Sequence, residues 1–165
     1  MTQRKAPPLA GVRIIECSML GPGAITTHLA DLGADVIKVE PPAGDEVRDW
    51  GPPFHGEDAA YFVGINRNKR SIGLDLASEG GRAVLMKMLE GADVLIENFK
   101  PGTLDKWGIG NDVLRARFPR LVHCRISGFG ADGPYAARAA FDLTIQAEGG
   151  YMSITGERGG APVKL

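Results

Sequence analysis

The stretch VRIIECSMLGPGAITTHLADLGADVIKVE (12–40) places two short β-branched runs on either side of a helical pattern. The runs Val12–Glu16 and Val36–Val39 predict strands, because β-branched residues favour an extended backbone. A glycine-rich turn and a predicted helix over 22–32 connect the two runs. This order predicts a βαβ unit, in which the strands are parallel and the crossover is right-handed.

The predicted helix carries signals at both ends and along one face. Pro22 suits the first helical position, where its missing N–H costs nothing. Gly33 follows the last turn, where a residue that ends a helix is expected. Ile25, Leu29 and Leu32 recur at helical spacing and define one apolar face.

The alternation of strand and helix continues along the chain. Further apolar runs predict strands over Arg70–Leu74, Asp93–Ile96 and Leu121–Ile126. Helical patterns predict helices over 78–90, near 101–107, over 111–118 and over 138–148. Ser78 is the expected N-cap of the first of these, whose expected inward residues are Val84, Leu85, Met88 and Leu89. Continuously apolar strands between helices predict an α/β fold with a parallel sheet covered on both faces.

Composition places the chain among ordinary soluble globular domains. Its 165 residues are 44% apolar and 24% charged, and the net charge is −1. This balance gives no overall positive field to attract nucleic acid or an anionic membrane. No apolar run approaches the roughly 20 residues of a membrane span, and the N-terminus lacks the apolar core of a secretory signal. We therefore expect a cytoplasmic protein without nucleic-acid or membrane partners.

The cysteines and histidines show no metal-ligand spacing. Cys17 and Cys124 lie in apolar runs and are expected to be small core residues. His28, His55 and His123 have no cysteine or carboxylate at a ligand spacing, so we expect no metal. No G-x-S-x-G elbow is present, which leaves a serine hydrolase triad without support.

In a parallel α/β sheet, ligands bind beyond the carboxyl ends of the strands. The loops that lie there are expected to be 17–23, 40–58, 74–78, 97–103 and 127–138. The first leads into a helix N-terminus, which can bind an anion. Gly21, Gly23 and Glu40 match part of a dinucleotide fingerprint, but Thr26 stands where its third glycine belongs. An NAD-dependent oxidoreductase and a turn without any ligand therefore both stay open.

Three other loops have a functional and a structural interpretation. The run Asn66–Ser71 carries three cations and suits either a phosphate or a solvated turn. In Glu97–Gly102, an amide, an aromatic ring and a lysine suit a nucleotide, although Phe99 is equally typical of core cover. The glycine-rich Ser127–Tyr135, together with Arg138, allows a ligand to approach the backbone or forms a structural loop.

Five segments in unbroken order support a more specific interpretation. They are Pro8–Ile15, Leu29–Glu40, Asn68–Ser71 with Leu74–Asp75, Ala92–Phe99 with Pro101–Gly102, and Ser127–Tyr135. Together they resemble the family III coenzyme A transferases, which include formyl-CoA and carnitine–CoA transferases and α-methylacyl-CoA racemase. The resemblance covers residues 8–165.

This resemblance implies a Rossmann-like parallel sheet with flanking helices as part of a large domain, a second smaller domain, and homodimers of interlinked chains. Residues 1–165 would then be the N-terminal, CoA-binding portion of the large domain. The chain ends on Leu165, an apolar residue after a Gly/Pro turn, so we expect an interrupted fold. The family nucleophile, an aspartate, is expected shortly beyond Leu165. No catalytic residue is therefore expected in this chain, which should be inactive alone.

The implied reaction moves CoA between an acyl-CoA and a free carboxylic acid without a metal. The aspartate attacks the thioester carbonyl, a mixed anhydride forms and CoA thiolate leaves. The thiolate then forms an aspartyl-CoA thioester, from which the acceptor acid takes the CoA. Amide donors, which glycine-rich loops can supply, would stabilise the oxyanions.

The resemblance also assigns CoA contacts. The turn from Met19 to Gly21 would line the pantetheine arm, 74–77 and Asn98–Phe99 would hold the nucleotide, and Lys106 lies where the family often has a basic residue. The expected contacting residues are Met19, Leu20, Gly21, Leu74, Asp75, Leu76, Ala77, Asn98, Phe99, Lys106 and Arg138.

Four positions depart from the family pattern or qualify it. The turn reads Leu20-Gly-Pro-Gly where members commonly have Ala-Gly-Pro, and Pro41 replaces a basic residue. Phe141 stands where the racemase branch has its histidine base, and a phenyl ring cannot abstract a proton, which disfavours a racemase. Asp142 is expected to cap the helix that follows.

The non-enzymatic alternative is that this chain is a remnant of a family member that only binds CoA or a dimer partner.

Overall fold

The computed structural model describes residues 6–165. Five parallel strands form its main sheet, in the spatial order β5-β2-β1-β6-β7. These strands are β1 (Arg13–Cys17), β2 (Asp35–Glu40), β5 (Arg70–Gly73), β6 (Val94–Glu97) and β7 (Val122–Arg125), and the short strands β3 (Phe54–His55) and β4 (Asp58–Ala59) form a separate antiparallel hairpin. All five predicted strands are confirmed within two residues at each end.

Helices flank the sheet, as the pattern predicts. Up to Ile126 they are α1 (Gly21–Asp31), α2 (Ala60–Asn66), α3 (Glu79–Leu89), α4 (Thr103–Lys106) and α5 (Asn111–Arg117), with a 3-10 helix at Glu46–Asp49. Two further helices, α6 (Asp142–Glu148) and α7 (Tyr151–Ile154), lie in the segment from Ser127 to Leu165. The parallel α/β architecture predicted from the sequence is therefore confirmed. Among the described residues, none of these helices is both long and apolar enough to traverse a bilayer.

The central strand β1 is buried on both faces. Ile15 and Cys17 pack in one cluster with Leu85 and Leu89 of α3. Ile14 points to the opposite face, into a cluster that includes Ala30 of α1. Residues that alternate between two covered faces explain why this strand is apolar apart from the exposed Arg13 at its start and the buried Glu16.

Of the apolar face that the sequence assigns to α1, only Leu29 packs against the core, where it is half-buried. Ile25 and Leu32 are exposed, whereas Thr26 and Thr27 are fully buried. The buried hydroxyls are satisfied, because Thr26 donates to the Glu16 carboxylate and Thr27 donates to backbone carbonyls. Small polar side chains that have hydrogen-bond partners are therefore buried beside the sheet in place of the larger apolar ones.

The α3 prediction is mostly right. The Ser78 hydroxyl accepts a hydrogen bond from the Gly81 N–H at 3.0 Å, which confirms the predicted N-cap. Leu85 and Leu89 are among the most deeply buried side chains. Val84 is exposed, so its predicted inward position is wrong, and Met86 is buried instead.

The segment predicted as a long loop has its own small core. Val47 from the 3-10 helix, Ala59 from β4 and Phe62 from α2 are buried together. Arg48 lies over the Phe62 ring, 3.9 Å from its centroid. This core holds the long connection between β2 and β5 as an ordered structure.

The chain divides into two compact units, one ending at Ile126 and one running from Ser127 to Leu165. In the second unit, α6 begins at Asp142 and its N-cap is Phe141, which offers no side-chain cap. The predicted capping role of Asp142 is therefore wrong, since its carboxylate instead accepts a hydrogen bond from the Gln146 amide at 2.6 Å.

Candidate functional site

The carboxyl ends of β1, β2, β5 and β6 lie at one edge of the sheet, because all four strands are parallel. The turns that follow them are therefore neighbours in the way the sequence predicts. The first unit thus brings the 18–21, 41–45, 74–77 and 98–99 segments to a common edge.

The turn after β1 has an unusual backbone. Leu20 adopts φ 57° and ψ −120°, a left-handed conformation that a branched side chain rarely takes. Asn98, which follows β6, accepts a hydrogen bond from the Met19 N–H at 3.2 Å and donates one to the Met19 carbonyl at 3.0 Å. Gly21 then opens α1, and the space where its Cβ would point is empty.

A buried network of charged side chains lies beneath this turn. Lys38 is within 3.3 Å of Glu16 and 2.9 Å of Asp45, and Lys69 is within 2.9 Å of Glu16. All four side chains are at most 3% exposed. Two positive and two negative charges therefore balance, which is the condition for keeping ions inside a protein.

The basic run after α2 is occupied by carboxylates of the protein. Arg67 pairs with Asp31, and Arg70 pairs with Asp35 at 2.6 Å. The third cation, Lys69, belongs to the buried network. These contacts support a structural role for the run and give no support to a phosphate contact.

Glu40, the residue on which the dinucleotide interpretation depends, is also occupied. Arg48 donates two hydrogen bonds of 2.8 Å to its carboxylate, and the Ser71 hydroxyl and the Asp45 N–H donate two more. Burial alone would raise the pKa of Glu40, but the bonds from Arg48, Ser71 and Asp45 outweigh it and lower the pKa to about 2. A carboxylate with four donors has little capacity left for ribose hydroxyls, so this geometry disfavours NAD binding.

The 74–77 segment is a tight, internally bonded turn. Arg82 of α3 donates to the carbonyls of Leu76 and Ala77, at 3.2 and 2.6 Å. The Asp75 carboxylate accepts from the Ala77 N–H at 3.0 Å. A Cβ on Gly81 would lie 1.9 Å from the Asp75 carbonyl oxygen, so only glycine permits this close approach. Leu76 is buried in the core, Leu74 packs against it half-buried, and Asp75 and Ala77 are exposed.

Phe99 and Lys106 differ sharply in exposure. Phe99 packs against the core, with its ring edge-on to Trp107 at 5.3 Å between centroids. Lys106 is exposed at the end of α4. The structure therefore gives Phe99 a packing role and leaves the Lys106 side chain exposed at the surface.

In the second unit, the glycine-rich loop is organised around Arg138. Its guanidinium pairs with Glu148 at 2.6 Å and lies 4.6 Å from the Tyr135 ring centroid and 5.1 Å from that of Phe129. This stacked arrangement orders the 129–138 segment within its own unit.

The described part of the chain has no cluster suited to a metal ion, and its Cys17 thiol is buried. Residues 6–165 contain no cluster of three histidine, cysteine or carboxylate side chains that could bind a metal ion. Cys17 is buried, and burial together with the Glu16 and Glu97 carboxylates raises the pKa of its thiol to about 12. Cys124 is half-buried, less deeply than the sequence predicts.

Sequence reasoning missed the buried network and the role of Arg82. A signal for the network exists, because Lys38 interrupts an apolar strand between Ile37 and Val39, and Glu16 interrupts β1 in the same way. Charged residues in buried strands require partners. Arg82 has no comparable signal, since exposed arginines are common on helices.

The chain matches the family model for CoA-transferase family III over residues 9–165. It is 49% identical to the succinate–glutarate CoA-transferase of Agrobacterium fabrum, over 99% of this chain and 43% of that protein. It is 41% identical to the succinyl-CoA:glutarate CoA-transferase of Homo sapiens, over 95% of this chain and 36% of that protein. A CAIB/BAIF family protein from Brucella suis has a similar fold, with a TM-score of 0.92 and 48% identity over 98% of this chain and 44% of that one.

The chain thus spans 36% to 44% of the length of these relatives. The family match covers nearly the whole chain, and the solved relative reproduces the parallel sheet with its flanking helices. The chain therefore belongs to CoA-transferase family III.

Proposed function

We propose that the protein to which this chain belongs transfers CoA between an acyl-CoA and a free carboxylic acid. The family match over residues 9–165 is the observation that carries this proposal. The names of two relatives, a succinate–glutarate and a succinyl-CoA:glutarate CoA-transferase, favour short dicarboxylic acids as donor and acceptor. A dicarboxylate leaves one carboxylate free when its other end is a thioester, so a cation near the acyl group would be required.

The proposed reaction proceeds by nucleophilic catalysis. In this proposal an aspartate carboxylate, expected shortly beyond Leu165, attacks the thioester carbonyl and releases CoA thiolate as a mixed anhydride forms. The thiolate then attacks the other carbonyl of the anhydride, that of the enzyme carboxyl group, which releases the first acid as a carboxylate and leaves an enzyme-bound CoA thioester. The second acid attacks this thioester and forms a new anhydride, from which the returning thiolate takes the second acyl group and frees the carboxylate.

This chain would contribute the CoA-binding edge of the sheet. In this proposal the turn Met19–Gly21 lines the pantetheine arm, since its backbone lies at the carboxyl end of the central strand. Leu74–Ala77 and Asn98–Phe99 hold the nucleotide, and the exposed ammonium of Lys106 meets its phosphates. Arg138, which lies in the second unit, is proposed as a further CoA contact.

The bonds of Asn98 refine its proposed role. Both the oxygen and the nitrogen of its amide contact the Met19 backbone, so only one N–H and one lone pair stay available for a ligand. Asn98 would therefore act chiefly by holding the Met19 turn. Phe99 would act by packing beneath the nucleotide site, consistent with its contact with Trp107.

Three other functions have weaker support. Phe141 argues against racemisation, because it cannot serve as a base. The occupied carboxylate of Glu40 argues against an NAD-dependent oxidoreductase. The third alternative function is that of a remnant, inactive alone, that binds CoA or a dimer partner. It would differ from the transferase only in lacking catalytic turnover. A homodimer and a cytoplasmic location stay predictions.

The test is a transfer assay with the full-length protein. It is incubated with succinyl-CoA and glutarate, and the CoA thioesters are separated by liquid chromatography and identified by mass spectrometry. We expect glutaryl-CoA to form only when both substrates are present. Incubation with succinyl-CoA alone should leave CoA covalently attached to the protein, as the thioester intermediate requires.

Binding separates the transferase from its rivals. Titration of the 165-residue chain with CoA should change the fluorescence of Trp50 or of Trp107, which packs beside Phe99, whereas NADH should not compete. CoA binding by this chain without transfer by the full-length protein would favour the remnant. Saturable NADH binding without CoA binding would favour the oxidoreductase.

A further inference from the structure

The turn at the end of β1 needs support from outside itself. Leu20 has a positive φ and a strongly negative ψ, a combination that side chains avoid because of steric crowding. Such a conformation persists only when its surroundings over-determine it. The contacts at the two ends of this turn should therefore identify the residues that enforce it.

Two buried lysines make those contacts. The ammonium of Lys38 donates to the Ser18 carbonyl at 2.6 Å, immediately before the turn. The ammonium of Lys69 donates to the Gly23 carbonyl at 2.7 Å, two residues after the turn and in the first turn of α1. Hydrogen bonds from a charged donor are shorter and stronger than neutral ones, so both carbonyls are held firmly.

The lysines are themselves fixed by the buried network. Glu16 contacts both ammonium groups, and Asp45 contacts Lys38. Burial lowers the pKa of Lys69, and the Glu16 carboxylate opposes this shift. The Ser18 and Thr26 hydroxyls donate to the same carboxylate, so Glu16 links both ends of the turn.

A simple contribution to stability does not explain this arrangement. A buried ion pair is often no more stabilising than apolar side chains of similar size. Two buried lysines with defined backbone targets, each paired with a buried carboxylate, are instead suited to setting one geometry. Both targets, the Ser18 and Gly23 carbonyls, flank the turn.

We propose that Lys38 and Lys69 are positioning residues that clamp the two ends of the turn Met19–Gly21. This inference rests on the proposed function, which assigns the turn to the pantetheine arm of CoA. The lysines touch no substrate. They act through the backbone of the turn and should affect the acyl-CoA and not the acceptor acid.

The test uses Lys38→Met and Lys69→Met in the full-length enzyme. Steady-state kinetics should show the KM for succinyl-CoA raised by about tenfold, as expected when a charge-assisted bond that shapes a binding segment is lost, with the KM for glutarate changed less than about twofold. The matched control is Arg70→Met, which removes a cation from the same basic run whose ion pair is exposed. It should leave both constants unchanged.

A second measurement does not depend on activity. Hydrogen exchange of peptides that cover residues 18–24 should be faster in both variants than in the wild type, with the rest of the sheet unchanged. The double variant E16Q/K69M removes one charge of each sign, which keeps the fold accessible if Lys69→Met alone fails to fold. It should show the same two effects.

The outcomes are distinct. A lower kcat with both KM values unchanged, or unchanged exchange over 18–24, would show a merely structural role and overturn the clamp. A wild-type enzyme that transfers no CoA would refute the proposed function. In that case, faster hydrogen exchange of the lysine variants confined to residues 18–24 would still support the clamp. Unchanged hydrogen exchange there would refute the clamp as well as the proposed function.

Discussion

The side-chain amide of Asn98 makes two hydrogen bonds to the backbone of Met19, one accepted and one donated, and so joins the ends of β1 and β6. A backbone strand pair uses the same donor and acceptor arrangement. The amide thus extends the sheet by one step, at the position where the strands separate. Whatever binds at this edge meets a turn whose position depends on Asn98.

Asn98→Asp should test this link. The aspartate keeps the size of the side chain but loses the donor, so its carboxylate oxygen faces the Met19 carbonyl. We expect the free energy of unfolding to fall by about 1 kcal/mol, measured by urea denaturation. The control is Asn111→Asp at the start of α5, where a negative charge is favourable and the change should stay within about 0.5 kcal/mol. If the two variants were equally stable, the hydrogen bonds between Asn98 and Met19 would make no measurable contribution to stability.

Gly81→Ala and Gly80→Ala form a matched pair on the first turn of α3. A Cβ at Gly81 would lie 1.9 Å from the Asp75 carbonyl oxygen, whereas one at Gly80 meets nothing within 4 Å. We expect Gly81→Ala to destabilise the protein by about 1–3 kcal/mol, and Gly80→Ala to stabilise it by about 0.5–1 kcal/mol through the helix propensity of alanine. Thermal unfolding of both variants measures the difference. A stabilising Gly81→Ala would mean that the 74–77 turn does not pack against the helix as described.

Arg48→Met should change both stability and its pH dependence. The pKa of Glu40 is lowered from 4.5 to about 2 in the folded protein. The ionised Glu40 therefore makes its full contribution to the free energy of unfolding above about pH 4.5, and this contribution is lost as the pH falls toward 2. We expect the variant to be less stable by about 2 kcal/mol at pH 7, with the difference from wild type shrinking across that window.

The matched control for this experiment is Arg117→Met, which removes an exposed arginine whose pair with Glu90 spans 3.5 Å. Its stability should equal that of the wild type at every pH. Urea denaturation between pH 2 and 7 measures all three proteins. A constant difference for Arg48→Met over this range would show that Glu40 is not the titrating partner.

Cys17 should resist modification in the folded protein. Burial raises its pKa to about 12, so almost no thiolate is present at pH 8, and the thiol is also inaccessible. Iodoacetamide should leave Cys17 unlabelled for as long as the chain is folded, as shown by peptide mass spectrometry. In urea, both Cys17 and Cys124 should react. Rapid labelling of Cys17 without denaturant would contradict the packing of β1 against α3.

Local sequence patterns predicted the elements well and their buried faces less well. Ser78 could be assigned as an N-cap, because capping depends on residues three positions apart. The buried face of α1 could not be assigned, because the buried Thr26 hydroxyl depends on a bond to the Glu16 carboxylate, ten residues earlier. α2 was missed, since its seven residues give too short a window for helical periodicity.

The sequence likewise predicted one part of the candidate site and not another. The positions of its loops follow from strand order, since parallel strands end at one edge, and the sequence predicted them. The partners of the charged residues do not follow, because Lys69 and Glu40 look equally available for a ligand in the sequence. Lys69 pairs with Glu16, 53 positions away in the chain, and only the folded chain brings the two together.

By itself, the sequence determined the parallel α/β order, the ends of the strands and the family, because apolar periodicity, capping residues and motif order are local properties. The tertiary structure alone decided which charges are buried as ion pairs, which face of α1 meets the sheet, and that Asn98 binds the Met19 backbone. The physical reason is that a charge or an amide can be buried only where its partner also lies, and partners distant in sequence meet only when the chain has folded.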